Sequence, residues 1–285
     1  MAARALTFFK GQWLEGNPGI IGPMSHCMWL SSVVFDGARA FEGLTPDLDL
    51  HCERVIASAH ALGLAPMLTA GEIQELTIDG IGRFPPGAAL YIRPMFFAEE
   101  GWVMPDPNST AFALTIHESP MPSVQGFTAC LSSRRRPLPG TAPTEAKASA
   151  LYPNAGLALK EAQTRGFDNA ILLDPLGNVA EFATANLFIV KDGVAHTPVW
   201  NGTFLNGITR QRVTGLLRDA GIPVLERTIT WAEVLDADEV FSTGNYGKVL
   251  PITRVEERHY QTGHVYQRAR ALYFEFARTQ PVSSE

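Results

Sequence analysis

Lysine is scarce in this chain of 285 residues, confined to Lys10, Lys147, Lys160, Lys191 and Lys248. With a formal net charge of −6, no broad basic face is expected, which argues against nucleic acid as a partner. Cysteine is scarcer still. Cys27, Cys52 and Cys130 form no CxxC pair and no Cys/His zinc spacing, so neither a disulfide framework nor a metal centre is expected. A reduced, cytoplasmic setting fits that usage. No uninterrupted apolar run approaches the ~20 residues of a membrane span. The apolar patch before Lys10-Gly11 is too short for a secretion signal. Internal repeats and low-complexity tracts are absent as well.

What is present is a globular composition, 46% hydrophobic and 18% charged, at a length natural for two lobes with separate cores. Residues 6–14 read as a strand with a turn at Lys10-Gly11. Residues 33–43 (VVFDGARAFEG) read as a strand containing Gly37, 88–97 as an apolar central strand and 111–119 as another. Helical spacing runs from His51 to Leu62, with Val55, Ile56, Ala59 and Leu62 on one face and Gly63 as the stop. GEIQELTIDGIGRF gives a further helix. Prolines and polar turn residues then set a boundary within 118–130. The division is a small N-terminal α/β lobe, 1–122, and a larger C-terminal lobe, 123–285.

The second lobe carries a helix at 154–165 and hairpins about Pro175-Leu176-Gly177-Asn178 and Lys191-Asp192-Gly193. In an amphipathic helix at 207–220, Ile208, Val213, Leu216, Leu217 and Ala220 share a face. A strand runs into a glycine turn near Gly244, and a last helix covers about 265–278. Strands and helices mix without strict βαβ alternation, which argues an α+β class.

Among the lysines, Lys10 and Lys191 precede glycine in turns, and Lys160 has polar helical neighbours. Lys248 follows Gly247, and its sequence leaves its status open. Lys147 sits among Ala146, Ala148, Ser149 and Ala150 in PTEAKASALYPN. Small neighbours leave room for a bulky group beside the amine and allow desolvation, which makes an amine nucleophilic. An exposed loop lysine is the competing reading. Arg134-Arg135-Arg136, followed by Pro137 and Pro139, reads either as a solvated loop or as an anion-facing one.

Six stretches in order resemble the fold-type IV pyridoxal-phosphate enzymes, and among them the branched-chain aminotransferases. They are VVFDGARAFEG (33–43), YIRP (91–94), TAPTEAK with Tyr152 (141–152), the run 166–193 from GFDNAILLD to FIVKDG, NGITR (206–210) and DEVFSTGNYGKVLPI (238–252). The resemblance covers about residues 7–275. It implies a two-lobed, D-amino acid aminotransferase-like fold whose larger lobe is a pseudobarrel carrying the reactive lysine. It implies pyridoxal 5′-phosphate (PLP) as cofactor and Lys147 as the Schiff-base lysine, which then moves the proton between Cα and C4′. Tyr152 matches the tyrosine near the pyridine O3′ oxygen. Glu181 matches the carboxylate at the pyridine nitrogen; by alternation it shares a face with Val179. Ile208 and Thr209 open the helix whose N-terminus suits a phosphate, with plain capping by Thr209 as the competing reading. Arg54 aligns with the phosphate-gripping arginine, although alone it looks like a solvent-facing helix charge. Asn245 stands where the family has threonine, and its amide could still donate.

On the substrate side, Tyr91 and Arg93 match residues near the substrate carboxylate. Arg93 sits in an apolar strand before Pro94-Met95-Phe96, where a buried arginine needs a partner. Phe35 and Gly37 match positions lining a pocket for aliphatic side chains. Two departures stand out: Leu30 replaces a common tyrosine, and Tyr246 replaces an alanine. The implied reaction is transfer of an amino group from an amino acid, branched-chain in the first reading, to a 2-oxo acid such as 2-oxoglutarate. The alternatives are an (R)-selective amine or D-amino acid transaminase of this fold, an aminodeoxychorismate lyase, and a non-catalytic binding protein. The resemblance also implies a homodimer, with 98–104 (AEEGWVM) as the loop reaching the other subunit's pocket.

Overall fold

The computed structural model describes residues 3–282. Its contacts divide the chain into two compact units, the first Met1–Met121, Glu145–Leu151 and Ala277–Glu285, the second Pro122–Thr144 and Tyr152–Phe276.

The first unit is built on β1 (Ala5–Phe9), β2 (Gln12–Glu15), β3 (Val33–Phe35), β4 (Ala38–Ala40), β5 (Leu90–Ala98) and β6 (Thr110–Glu118). These form one sheet in the order β2-β1-β6-β5-β3, with β4 also on β5 and every pairing antiparallel. Its helices are α1 (His26–Leu30), α2 (Leu48–Ala61) and α3 (Ala70–Ile81). Lys10 and Gly11 both take positive φ in the β1–β2 turn (47° and 81°), the twist a tight hairpin needs. The strand expected over 33–43 is broken at Asp36-Gly37. There the Asp36 carboxylate takes the Gly37 N–H at 2.7 Å, so that donor is lost to the ladder. In α3, Thr69 and Glu72 cap the first turn reciprocally, worth about 1 kcal/mol.

Alternation sorts the two faces of β5. Leu90, Ile92 and Phe96 are buried in the core with Val55, Ile73 and Ile116, each contributing about 1.5–3 kcal/mol. Tyr91, Arg93 and Met95 lie half-buried on the other face. Arg93 is therefore not sunk among its apolar chain neighbours, because the period of two turns it away from them. The buried side of α2 is Leu48, His51, Cys52, Val55, Ser58 and Ala59, whereas Ile56 and Leu62 are half-buried. The expected stripe thus missed two polar members, His51 and Ser58.

The segment Glu145–Leu151 packs in this first unit, not in the larger lobe expected to carry Lys147. Ala148 bridges Val34, and Lys147 uses its N–H on Ser58 Oγ (3.0 Å) and its C=O on the Phe35 N–H (3.1 Å). Ala146 and Ala148 are small enough to join the core around β3 and α2.

The second unit holds β7 (Phe127–Arg135), β8 (Asn169–Leu173), β9 (Val179–Phe182), β10 (Asn186–Lys191), β11 (Val194–Pro198), β12 (Val224–Arg227), β13 (Glu239–Gly244), β14 (Lys248–Val255) and β15 (Arg258–His259). The sheet runs β12-β11-β10-β13-β14-β7-β8-β9, with β15 on β14. Its helices are α4 (Tyr152–Thr164), α5 (Ile208–Asp219), α6 (Trp231–Asp236) and α7 (His264–Ala277). The β8–β9 and β10–β11 hairpins form where the turn residues place them. The arginine run is not a loop: Arg134 and Arg135 end β7, and Arg136 is buried because it has an anion to meet. On α5 the buried stripe is Ile208, Thr209, Arg210, Val213, Thr214 and Leu217, while Ala220 is exposed as the C-cap. Arg210 can lie inward because Glu226 (2.9 Å), Thr197 and the Pro198 carbonyl take its donors.

Candidate active site

In the first unit, Asp36 is fully buried and anchors two side chains of α2. Arg54 donates to it twice, Nε to Oδ2 at 2.6 Å and Nη2 to Oδ1 at 2.8 Å. His51 Nδ1 lies 2.6 Å from Oδ1. Burial alone would raise the Asp36 pKa. The charges and hydrogen bonds of Arg54 and His51 outweigh it and hold the carboxyl well below the usual carboxylate range. Arg54 is therefore not a solvent-facing helix charge, because a buried carboxylate fixes its guanidinium.

Lys147 is half-buried, and its Nζ lies 5.0 Å from the centre of the Phe35 ring. Gly37 follows Phe35 and Asp36 in the break between β3 and β4. On the Tyr91 face of the sheet, the fully buried Arg39 and the half-buried His117 stand on either side of Tyr91 in register. The Arg93 guanidinium lies 5.3 Å from the Tyr91 ring centre, and Arg93 Nε is buried with no hydrogen-bond partner. Arg39 donates to the Ser119 hydroxyl and carbonyl. Burial first, then the charges of Arg93 and Arg39, lower the His117 pKa. The two arginines of this row carry the positive charge, an arrangement that suits an anion. Leu30, at the end of α1, is exposed.

In the second unit, Glu181 on β9 is buried between Arg136 Nε (3.3 Å) and Asn186 Nδ2 (3.3 Å). Asn186 also donates to the Leu205 carbonyl, and a Cβ on Gly207 would strike its side chain and displace it. Asn186 thus ties Glu181 to the start of α5. That start has Gly207 as N-cap with no side chain capping it, so Thr209 does not cap its own helix. Near the end of β13, Thr243 is fully buried with its hydroxyl unpartnered, and in the turn to β14 the Nδ2 of Asn245 is buried and unpartnered. Asn245 Oδ1 accepts from Lys248 Nζ at 2.8 Å. Tyr152 opens α4 with an exposed ring, and Tyr246 is exposed at the tip of the turn.

The sequence model for amino-transferase class IV matches residues 33–255. The chain belongs to the class IV aminotransferases. It is 32% identical to the branched-chain-amino-acid aminotransferase of Pseudomonas aeruginosa, over 94% of this chain and 91% of that protein. An aminotransferase from Brucella abortus, solved bound to PLP, is 51% identical with a TM-score of 0.95, covering 96% of this chain and 99% of that one. The branched-chain aminotransferase of Thermoproteus uzoniensis, solved with norvaline, is 29% identical with a TM-score of 0.90, covering 98% and 100%. The fold is fold-type IV, and the activity is that of a PLP-dependent transaminase.

This class IV aminotransferase has a donor set that fits PLP. Each unit holds groups of the kinds such a cofactor calls for: the first an amine at the half-buried Lys147, the second a buried carboxylate at Glu181, an uncapped helix start and two unpartnered buried donors. Sequence reading missed Asp36, His51, Arg39, His117, Asn186 and Thr243, left Lys248 open, and weighed Arg136 only as part of an arginine run. Arg39 carried a weak signal, a lone charge inside the apolar run of GARAF. The others are recruited by register or by a helix face.

Proposed function

We propose that this aminotransferase takes its amino group from a branched-chain amino acid and passes it to a 2-oxo acid such as 2-oxoglutarate, in a ping-pong cycle. The observation that carries the substrate reading is the pair of arginines, Arg39 and Arg93, beside Tyr91, together with the Phe35 ring against the Lys147 amine. The pair suits a carboxylate. Phe35 and the bare backbone of Gly37 suit an aliphatic side chain. The branched-chain names of the relatives and the norvaline bound to one of them support the same reading.

Each residue then has a role. PLP, when bound, supplies an aldehyde carbon for the amino group and a ring that draws electrons from the substrate Cα. Lys147 would hold the cofactor by its amine and, once released, would take the proton from the substrate Cα. Glu181 balances the charge of the ring nitrogen, and Arg136 and Asn186 keep it in place. Tyr152 gives its phenol hydroxyl to the ring oxygen. Arg54 grips the phosphate by charge, the N–H groups of Ile208 and Thr209 and the Thr209 hydroxyl by hydrogen bonds, and Asn245 by its amide. Tyr91 and Arg93 hold the substrate carboxylate, and Tyr246 borders it.

The exposed Leu30 and Tyr246 favour a second reading, a transaminase for D-amino acids or (R)-amines. A donor panel of L-Leu, L-Ile, L-Val, D-Ala and (R)-1-phenylethylamine separates the two. The first reading expects the L-aliphatic donors to lead; turnover confined to D-Ala or to the amine overturns it. A homodimer belongs to the same proposal. Trp102, Val103 and Met104 are exposed at the loop tip, and Trp102 lies 5.9 Å from Trp29, which suits burial by a second copy. Sedimentation velocity should give twice the chain mass, and a monomer at micromolar concentration would contradict it. A cytoplasmic setting, in keeping with three free thiols, is read out by cell fractionation.

A further inference from the structure

The turn between β13 and β14 departs from the family at Asn245, and it also holds a lysine that the proposed reaction does not use. Lys248 is 1% exposed. Its backbone takes φ of 61°, a left-handed conformation uncommon outside glycine. Its Nζ donates to Asn245 Oδ1 at 2.8 Å. An ammonium has donors and no acceptor, so this bond decides which way the amide lies. Oδ1 faces the lysine, and Nδ2 carries its hydrogens elsewhere. That Nδ2 is buried without an acceptor, and so is the nearby Thr243 hydroxyl.

We propose that Lys248 is a positioning residue that orients the Asn245 amide so that Nδ2 donates to the cofactor phosphate. The proposal rests on the reading of this turn as a phosphate holder. It explains why the family's threonine can be exchanged here. A threonine hydroxyl rotates to donate wherever an anion lies. An asparagine amide has one donating end and one accepting end, and the accepting end repels an anion. The exchange therefore calls for a partner that fixes the amide, and a buried ammonium on the oxygen does so.

The test uses the full chain reconstituted with PLP and with pyridoxal, the same aldehyde without phosphate. The ratio of the two dissociation constants, read from cofactor absorbance, isolates the phosphate, because the bond to Lys147 is common to both. K248M, N245A, the double variant and T209V are compared with wild type. K248M and N245A are each expected to lower the preference for PLP about tenfold, roughly the worth of a hydrogen bond to a charged group. The double variant should lose no more than either single one, since Lys248 acts through Asn245. A K248M ratio equal to wild type, with N245A and T209V both lowered, overturns the proposal, as does a double loss equal to the product of the singles. If N245A and T209V both leave the ratio unchanged, the phosphate reading fails and takes the proposal with it. K248L serves where K248M does not fold, with the same loss expected.

Discussion

Lys147 and Lys248 make an instructive pair. Both follow small residues, Lys147 after Ala146 and Lys248 after Gly247. Lys248 is the more buried, yet its ammonium is committed to Asn245. Lys147 is half-buried, and its amine rests over the face of Phe35. The backbone of Lys147 is what is tied down, through Ser58 and Phe35. Depth of burial therefore does not pick out the lysine proposed to react. The proposal rests on a fixed backbone under a half-buried amine, because the amine must meet an aldehyde and a substrate carbon in turn.

The largest way to break this contrast is Lys147→Ala. Turnover should fall on the order of 10³-fold, within the range of a lost general acid–base group. Steady-state rates with saturating PLP check it, and full turnover would end the assignment.

Asp36→Asn comes next and probes the frame around Lys147. Removing one partner of a buried ion pair costs about 3–5 kcal/mol, measurable by urea unfolding. The sign with pH follows from the depressed carboxyl. The stability Asp36 adds is fully present above its unfolded value of ~3.9 and is lost as pH falls through the lower folded value. Wild type should therefore lose stability steeply below about pH 4, and the variant should lack that part of the slope.

Arg93→Met should raise KM for the amino donor about 10- to 100-fold, with a smaller change in kcat, as expected for a lost charged hydrogen bond to a carboxylate. An unchanged KM would remove Arg93 from the substrate side. Tyr246→Ala is the smallest step. It should shift the ratio of kcat/KM between L-leucine and D-alanine by less than about tenfold, the scale of a modest change in pocket shape.

Much of the fold was legible. The hairpin turns, the helix stops and the helix starting near Tyr152 all follow from local turn and capping chemistry. Lys147 was legible as a lysine with room beside it. Its place in the first unit was not, because the chain returns there through Ala148 pairing with Val34, a contact far apart in sequence. Arg136 was hidden for a related reason. Within the arginine run nothing distinguishes it, and its partner Glu181 arrives on another strand. Arg39 and His117 meet Tyr91 only through strand register. His51 and Ser58 were passed over because an apolar count discards polar residues on a buried helix face. Each is buried because it has a partner, Asp36 for one and the Lys147 N–H for the other.

The central claim is that the chain stores an amino group from its donor and then gives it up. Its most direct test is a single half-reaction. PLP-loaded enzyme is mixed with L-leucine and no acceptor, and the bound cofactor is followed by absorbance. One equivalent of cofactor should pass to its aminated form and return on adding 2-oxoglutarate. Release of pyruvate from aminodeoxychorismate with no stored amino group, or a cofactor spectrum that L-leucine leaves untouched while D-alanine or an amine changes it, would contradict the account.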